Sequence, residues 1–194
     1  MSSDLPTENT ARWSLLSAGY VAGGVASTVV LIVDGETVAV VDPGMVADRA
    51  RILDPLAAAG YNASDVTDVV LSHHHPDHTL NAALFQAARV HDFQAVYRND
   101  EWTRRPADGV LLSRSVRLLH VGGHTPQDVA TVIAGDTGVA VCTHAWWNED
   151  GPAEDPYAPD RDALRRARER VLAVADLIIP GHGEPFAPTA ETPR

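Results

Sequence analysis

The stretch His73-His74-His75-Pro76-Asp77-His78, which follows the apolar run Val69-Val70-Leu71-Ser72, constrains the fold more than any other part of the chain. Its H-x-H-x-D-H spacing delivers three imidazoles and a carboxylate from one loop at the end of a buried strand. Neutral imidazole nitrogens and ionised carboxylates are the groups a borderline cation such as zinc binds best. One segment rarely completes a metal site, so the fold must bring other strand ends to this loop. Two glycine-flanked histidines fit that need: His124 in Gly122-Gly123-His124-Thr125-Pro126, and His182 in Pro180-Gly181-His182-Gly183-Glu184. Glycine lets the backbone bend sharply and approach an ion. His74 alternates with His73 and His75 and is expected to point away from them. His91 and His120 have no ligand-like neighbours and read as ordinary core or surface residues.

The rest of the pattern predicts a mixed α/β chain. Strands are expected over 13–21, 25–33 and 37–41, the last two joined by the hairpin signal Asp34-Gly35 and followed by the turn Asp42-Pro43-Gly44. Residues 46–59 lean helical, with Pro55 as a kink and Gly60 as a stop. A buried strand over 66–71 leads into the histidine loop, and a short helix follows around 81–87. Short strands are expected at 88–91, 95–97 and 116–119, and a pair at 128–133 and 139–142 turns at Gly135-Asp136-Thr137-Gly138. A long helix over 161–175 carries the apolar stripe Leu164, Ala167, Val171, Val174 and Ala175, and a last strand spans 177–179. The arginines at 161, 165, 166, 168 and 170 read as the wet face of that helix. Strand-rich halves, each followed by helix, predict two packed sheets with helices outside. We expect one domain over 12–186, between a flexible N-terminal segment 1–11 and a flexible C-terminal tail 187–194.

Charge and cysteine content narrow the function classes. A net charge of −11 argues against nucleic-acid and anionic-membrane partners and leaves a small-molecule substrate as the expected one. No apolar run is long enough to span a membrane, and the first dozen residues carry no secretory pattern. The single cysteine, Cys142, excludes an internal disulfide and fits a reducing, cytoplasmic setting. The sequence sets no oligomeric state.

From the hairpin ending Val41-Asp42-Pro43-Gly44, through His73–His78 and His124, to Gly181-His182-Gly183, the chain resembles the metallo-β-lactamase fold superfamily. The resemblance implies a four-layered αββα sandwich with a metal site at the edge of its two sheets. It implies His73, His75 and His124 as ligands of one ion, Asp77, His78 and His182 as ligands of a second, and Asp42 as a carboxylate steadying the histidine loop. A closer resemblance is to the metallo-β-lactamase domain-containing protein 1 group. It is carried by Asp77-His78-Thr79-Leu80-Asn81 with Phe85, His91-Asp92-Phe93, Gln127-Asp128-Val129, and residues 170–176 leading into Pro180-Gly181-His182-Gly183. Members of that group have been linked to endonucleolytic RNA processing, a substrate the acidic charge here speaks against.

One departure matters. Where the superfamily places an aspartate that bridges two metals, the stretch Val139-Ala140-Val141-Cys142-Thr143-His144-Ala145-Trp146 places His144. Asp136 reads as part of the hairpin turn before that strand. An imidazole offers one lone pair at a time and cannot bridge as a carboxylate does. His144 is therefore expected as a ligand of one metal or as a proton shuttle, with Cys142 as a further candidate ligand and Trp146, Trp147 and Tyr157 as candidate walls of a substrate cleft. The resemblance implies a metal-dependent hydrolase using one or two zinc ions, with iron as the other metal to consider. A hydroxide held by the first ion would attack an ester, lactone, thioester or phosphodiester, oriented by Asp77. The alternatives are a mononuclear iron oxidoreductase of the persulfide dioxygenase type, and a metal-binding protein with an impaired second site.

Overall fold

A computed structural model describes residues 11–194, so the expected flexible segment 1–11 lies, Ala11 apart, outside the described residues. Eleven strands and three α-helices follow in the order β1 (Arg12–Ser17), β2 (Val29–Asp34), β3 (Thr37–Val41), α1 (Ala50–Ala58), β4 (Asp68–Val70), α2 (Pro76–Thr79), β5 (Arg89–His91), β6 (Ala95–Arg98), β7 (Glu101–Arg104), β8 (Val116–His120), β9 (Val129–Gly135), β10 (Gly138–Thr143), α3 (Arg161–Leu172) and β11 (Leu177–Pro180). Strands β1 to β7 form one sheet in sequence order, and β11-β10-β9-β8 form a second.

Alternation along the strands makes the layers. In β2, β3 and β4, Val30, Ile32, Ala39, Val41 and Val70 face the second sheet and meet Leu118, Ile133 and Ile179. Their neighbours Val29, Leu31, Val38, Val40 and Val69 face outward and are covered by Ile52 and Leu56 of α1 and by Phe85. On the far side Val132, Val141 and Ile178 pack under Leu164 and Val171 of α3. Three apolar cores between four layers of secondary structure give an αββα sandwich, the expected architecture. Each fully buried Val, Leu or Ile contributes about 1.5–3 kcal/mol of transfer free energy, which is what the strand alternation exists to collect.

Some expectations differ from the fold. The segment around Trp102, for which no strand was expected, is the edge strand β7, whose four residues are all exposed. Its short, Arg-bearing and open face is a common way of ending a sheet. Arg168 is not on the wet face of α3. It is buried, donating from Nε to the Ala145 carbonyl (2.9 Å) and from its two terminal nitrogens to Ala153 (2.9 Å) and Pro152 (2.6 Å). The tail 187–194 is docked where a frayed end was expected: Trp146 Nε1 donates to the Pro193 carbonyl (2.9 Å), and Thr192 is buried. Among the described residues no helix is long and apolar enough to cross a membrane.

The topology fixes where a site can form. Strands β3 and β4 run parallel, as do β10 and β11, and β8 runs antiparallel to β9, which is antiparallel to β10. The carboxyl ends of β3 and β4 therefore share one rim of the first sheet. Those of β8, β10 and β11 share one rim of the second.

Candidate metal centre

The histidine loop leaves β4 with the residue-by-residue alternation of an extended chain. His73 and His75 face one way, and His74 turns back to Asp92 (Nε2 to Oδ2, 3.0 Å). Pro76 then occupies the first position of α2, where its missing N–H costs nothing. The turn after β3 locks this loop from below. Asp42 takes a left-handed backbone (φ 51°), uncommon for a residue with a side chain. That conformation lets Oδ1 accept the Ser72 N–H (2.7 Å) while Oδ2 pairs with His78 Nδ1 (2.9 Å). Gly44 lies so close to Asp77 that a Cβ would fall 1.5 Å from its carbonyl oxygen. No other residue type fits there.

His124 arrives from the β8–β9 loop, His144 from the end of β10 and His182 from the end of β11. The structure brings together every ligand candidate read from the sequence except Cys142. The potential ligand atoms of His73, His75 and His124 lie within 4.8 Å of one another, as do those of Asp77, His78 and His182. His144 belongs to two further such groups, one with His73 and His78, the other with His124 and Asp155. Its Nε2 lies 3.0 Å from His182 Nε2, and His124 Nε2 lies 3.1 Å from His75 Nδ1.

Outer partners orient the rings. His78 Nδ1 is held by Asp42, His182 Nδ1 donates to the Ala26 carbonyl (2.8 Å), His124 Nδ1 pairs with Asp155 Oδ2 (2.6 Å), and His73 Nδ1 with Ser72 Oγ (3.0 Å). Each pairing engages Nδ1 and leaves the Nε2 of the same ring for the centre, the arrangement that ligating histidines use.

Electrostatics follow from burial. Burial, and then the neighbouring imidazoles, hold His73 and His144 well below the usual histidine range, so both rings stay neutral. Burial also lowers His182. His78 is the exception: burial opposes its charge, but Asp42 and Asp77 outweigh that and raise it to about 9. Burial works against ionising Asp77 too, yet the adjacent His78 imidazole brings it down to about 2. These carboxylates favour positive charge at the heart of the cluster.

Three atoms test whether a cation fits. His73 Nε2, His78 Nε2 and His144 Nδ1 are buried with no hydrogen-bond partner, and the three residues form one of the ligand groups. A buried polar atom left unpaired costs about 1–3 kcal/mol, which a cation among these lone pairs would relieve. The donor set, nitrogens with one carboxylate, suits zinc or iron.

His144 itself rests in a recess made by glycine. A Cβ on Gly181 would stand 2.3 Å from His144 Cδ2 and 2.8 Å from its Nε2. Gly181→Ala is expected to push the ring out, destabilise the fold by about 1–3 kcal/mol as overpacked sites do, and lower bound metal. Urea unfolding and elemental analysis check both effects.

The other candidates fall elsewhere. Cys142 is buried between the sheets, beside Val30 and Ile179 in one apolar cluster, and burial raises its thiol far above the usual range. It is in none of the ligand groups among the described residues. Asp136 lies in the β9–β10 turn, at the other end of β10 from His144. Trp146 is buried under α3 with Phe186, while Trp147 lines the cleft with Tyr157. Asp155 was missed. It sits in a Pro- and acid-rich loop with no periodicity, and only the fold brings it to His124.

The metallo-beta-lactamase superfamily model matches residues 22–92. Metallo-beta-lactamase domain-containing protein 1 of Xenopus laevis is 30% identical over 165 residues, covering 81% of this chain and 71% of that protein. Its Mus musculus namesake is 34% identical over 162 residues, covering 78% of this chain but only 62% of its own length. Among solved structures, an N-acyl homoserine lactone hydrolase with product bound at its catalytic metal centre superposes with a TM-score of 0.64 at 18% identity, covering 90% of this chain and 93% of that one. At that identity the likeness is one of fold.

Proposed function

Since the chain belongs to the metallo-beta-lactamase superfamily, we propose that it is a metal-dependent hydrolase of a small-molecule ester, lactone, thioester or phosphodiester. The observation that carries the reading is the grouping of three unpartnered, buried imidazole nitrogens, two from the histidine loop and one from the end of β10. We assign His73, His75 and His124 to one ion and Asp77, His78 and His182 to a second. Bound zinc or iron supplies Lewis acidity, which polarises the bond to be cut and lowers the pKa of water from about 15.7 towards about 7.

The chain's own groups do the positioning. Asp42, Asp155 and the Ala26 carbonyl hold His78, His124 and His182 by Nδ1, so each presents Nε2 inward. Asp77, within 3.4 Å of His78 Nε2 and 3.5 Å of His182 Nε2, would orient the attacking water. His144, enclosed and with Nδ1 unpartnered, is a lone-pair donor rather than a proton carrier to solvent.

Elemental analysis of protein purified without added metal, beside His144→Asp, tests the reading. We expect zinc or iron in the parent, ester or lactone hydrolysis that a chelator abolishes, and fuller occupancy of the second site in His144→Asp, because a carboxylate can bridge two cations. A protein that takes up neither metal refutes the reading. A single iron without hydrolysis moves it to the iron oxidoreductase.

A further inference from the structure

The cleft over the cluster, about 410 Å³, has two walls that the chemistry above does not use. One is the tip of a narrow hairpin closed by paired backbone hydrogen bonds between Tyr20 and Ala26 (3.0 and 2.9 Å), carrying Val21 and Val25, which are 42% and 38% exposed. The other is Trp147 with Tyr157, their rings stacked at 5.7 Å and 20°. Tyr157 is 67% exposed, an unusual position for a large aromatic side chain held in place.

What holds it is Asp155. Its Oδ2 accepts from Trp147 Nε1 (3.0 Å) as well as pairing with His124 Nδ1, and its Oδ1 accepts the Tyr157 N–H (2.9 Å). The Trp147 carbonyl in turn accepts the His182 N–H (2.7 Å). The aromatic wall is thus built onto the same frame as two of the histidines, with little freedom left to lose when a ligand stacks on it.

The walls carry no counter-charge. The chain's 15 basic residues are all arginines, none of them in residues 1–10, and among the described residues none lines the cleft. Asp155 is buried with both oxygens engaged, so it is not free for an ammonium group. The volume is at the small end of the 300–1,000 Å³ usual for ligand sites.

We infer that the part of the substrate beyond its reacting group is small, flat or apolar, and uncharged, gripped between Val21 and Val25 on one side and Trp147 and Tyr157 on the other. This rests on the hydrolase reading for the identity of the reacting group only. An aromatic ring or short acyl chain gains the stacking and burial terms here, whereas a distal carboxylate, sulfonate or phosphate loses its water without finding a partner.

Kinetics with 4-nitrophenyl butyrate and 4-nitrophenyl succinate, which share a reacting ester and differ in one distal charge, test this. We expect KM at least about tenfold lower for the butyrate. Tyr157→Ala should raise it several-fold with kcat little changed, and Val21→Arg should reverse the preference towards the succinate. Equal KM values, or no effect of either variant, overturn the inference. A binding arm separates its failure from failure of the hydrolase reading. Acetanilide should shift the Trp147 indole N–H signal, assigned with Trp147→Phe, at concentrations where 4-acetamidobenzenesulfonate does not. If neither ester turns over on metal-loaded protein but acetanilide binds selectively, the hydrolase reading falls and the cleft assignment stands; equal or stronger sulfonate binding overturns the assignment.

Discussion

His75→Ala should give a protein that folds as the parent does, holds about one ion fewer, and hydrolyses its substrate at least about a thousandfold more slowly. Of the first ligand group, His75 is the one exposed member, while His73 and His124 are buried. Truncating it opens no cavity, so its cost should stay within the roughly 0.5 kcal/mol of an ordinary surface change, about 2 °C or less in melting temperature for a chain of this size. His73→Ala is the contrasting variant. It would also remove a ligand, but His73 packs against the rings of His75, His78, His124 and His144 at centroid distances of 4.3 to 5.0 Å, so its loss should unsettle the rim as well. Differential scanning calorimetry, elemental analysis and initial rates on the two variants separate a ligand from a structural histidine. Undiminished metal in folded His75→Ala would sink the assignment.

The clustered histidines were legible because their signals are local. H-x-H-x-D-H places its side chains within one loop, and the glycines beside His124 and His182 mark sharp turns at strand ends wherever those ends meet. The two-sheet sandwich was legible from two strand-rich halves, each followed by helix; which residues of the uniformly apolar runs Val29 to Val33 and Val38 to Val41 face the inner core was not, because that depends on register. What escaped was non-local or aperiodic. Asp155 pairs with a histidine 31 residues away from within a loop whose course is set by the buried Arg168, itself hidden in a run of solvent-facing arginines. Val21 and Val25 read as strand residues in sequence. They line the cleft only because Gly23 and Gly24, with φ of 72° and 151°, fold the segment into a hairpin over it. Cys142 lies two residues before His144, but β10 ends at Thr143, so His144 reaches the rim while Cys142 stays between the sheets.

The largest stability effect is expected at Asp68, remote from the candidate ligands in role although it starts the strand that leads to them. Asp68 is fully buried and its Oδ1 receives His91 Nε2 (2.7 Å) and an Arg89 terminal nitrogen (2.8 Å), while Oδ2 accepts from Thr67 Oγ1 (2.7 Å). Arg105 donates to His91 Nδ1 (2.9 Å), which requires His91 to carry its proton on Nε2 and pass the hydrogen bond on to Asp68. Burial raises the Asp68 carboxyl, but the bonds from His91, Arg89 and Thr67 outweigh it and leave the group below its ordinary 3.8. A carboxyl whose pKa is depressed on folding stabilises the fold above its unfolded value and loses that contribution as pH falls through the folded one. Asp68→Asn keeps the shape and removes the charge, leaving Arg89 unpaired and an amide nitrogen facing donors. The loss should be about 3 kcal/mol near neutral pH, in the range for breaking a buried pair, or a melting temperature lower by about 6–12 °C. The gap between variant and parent should narrow as the pH is taken below about 3.8, because the parent then protonates the same oxygen that the variant has replaced. Chemical denaturation at pH 7 and pH 3 measures both numbers. An equal gap at the two pH values would mean that packing, and not the ionised carboxylate, is what Asp68 supplies to the start of β4.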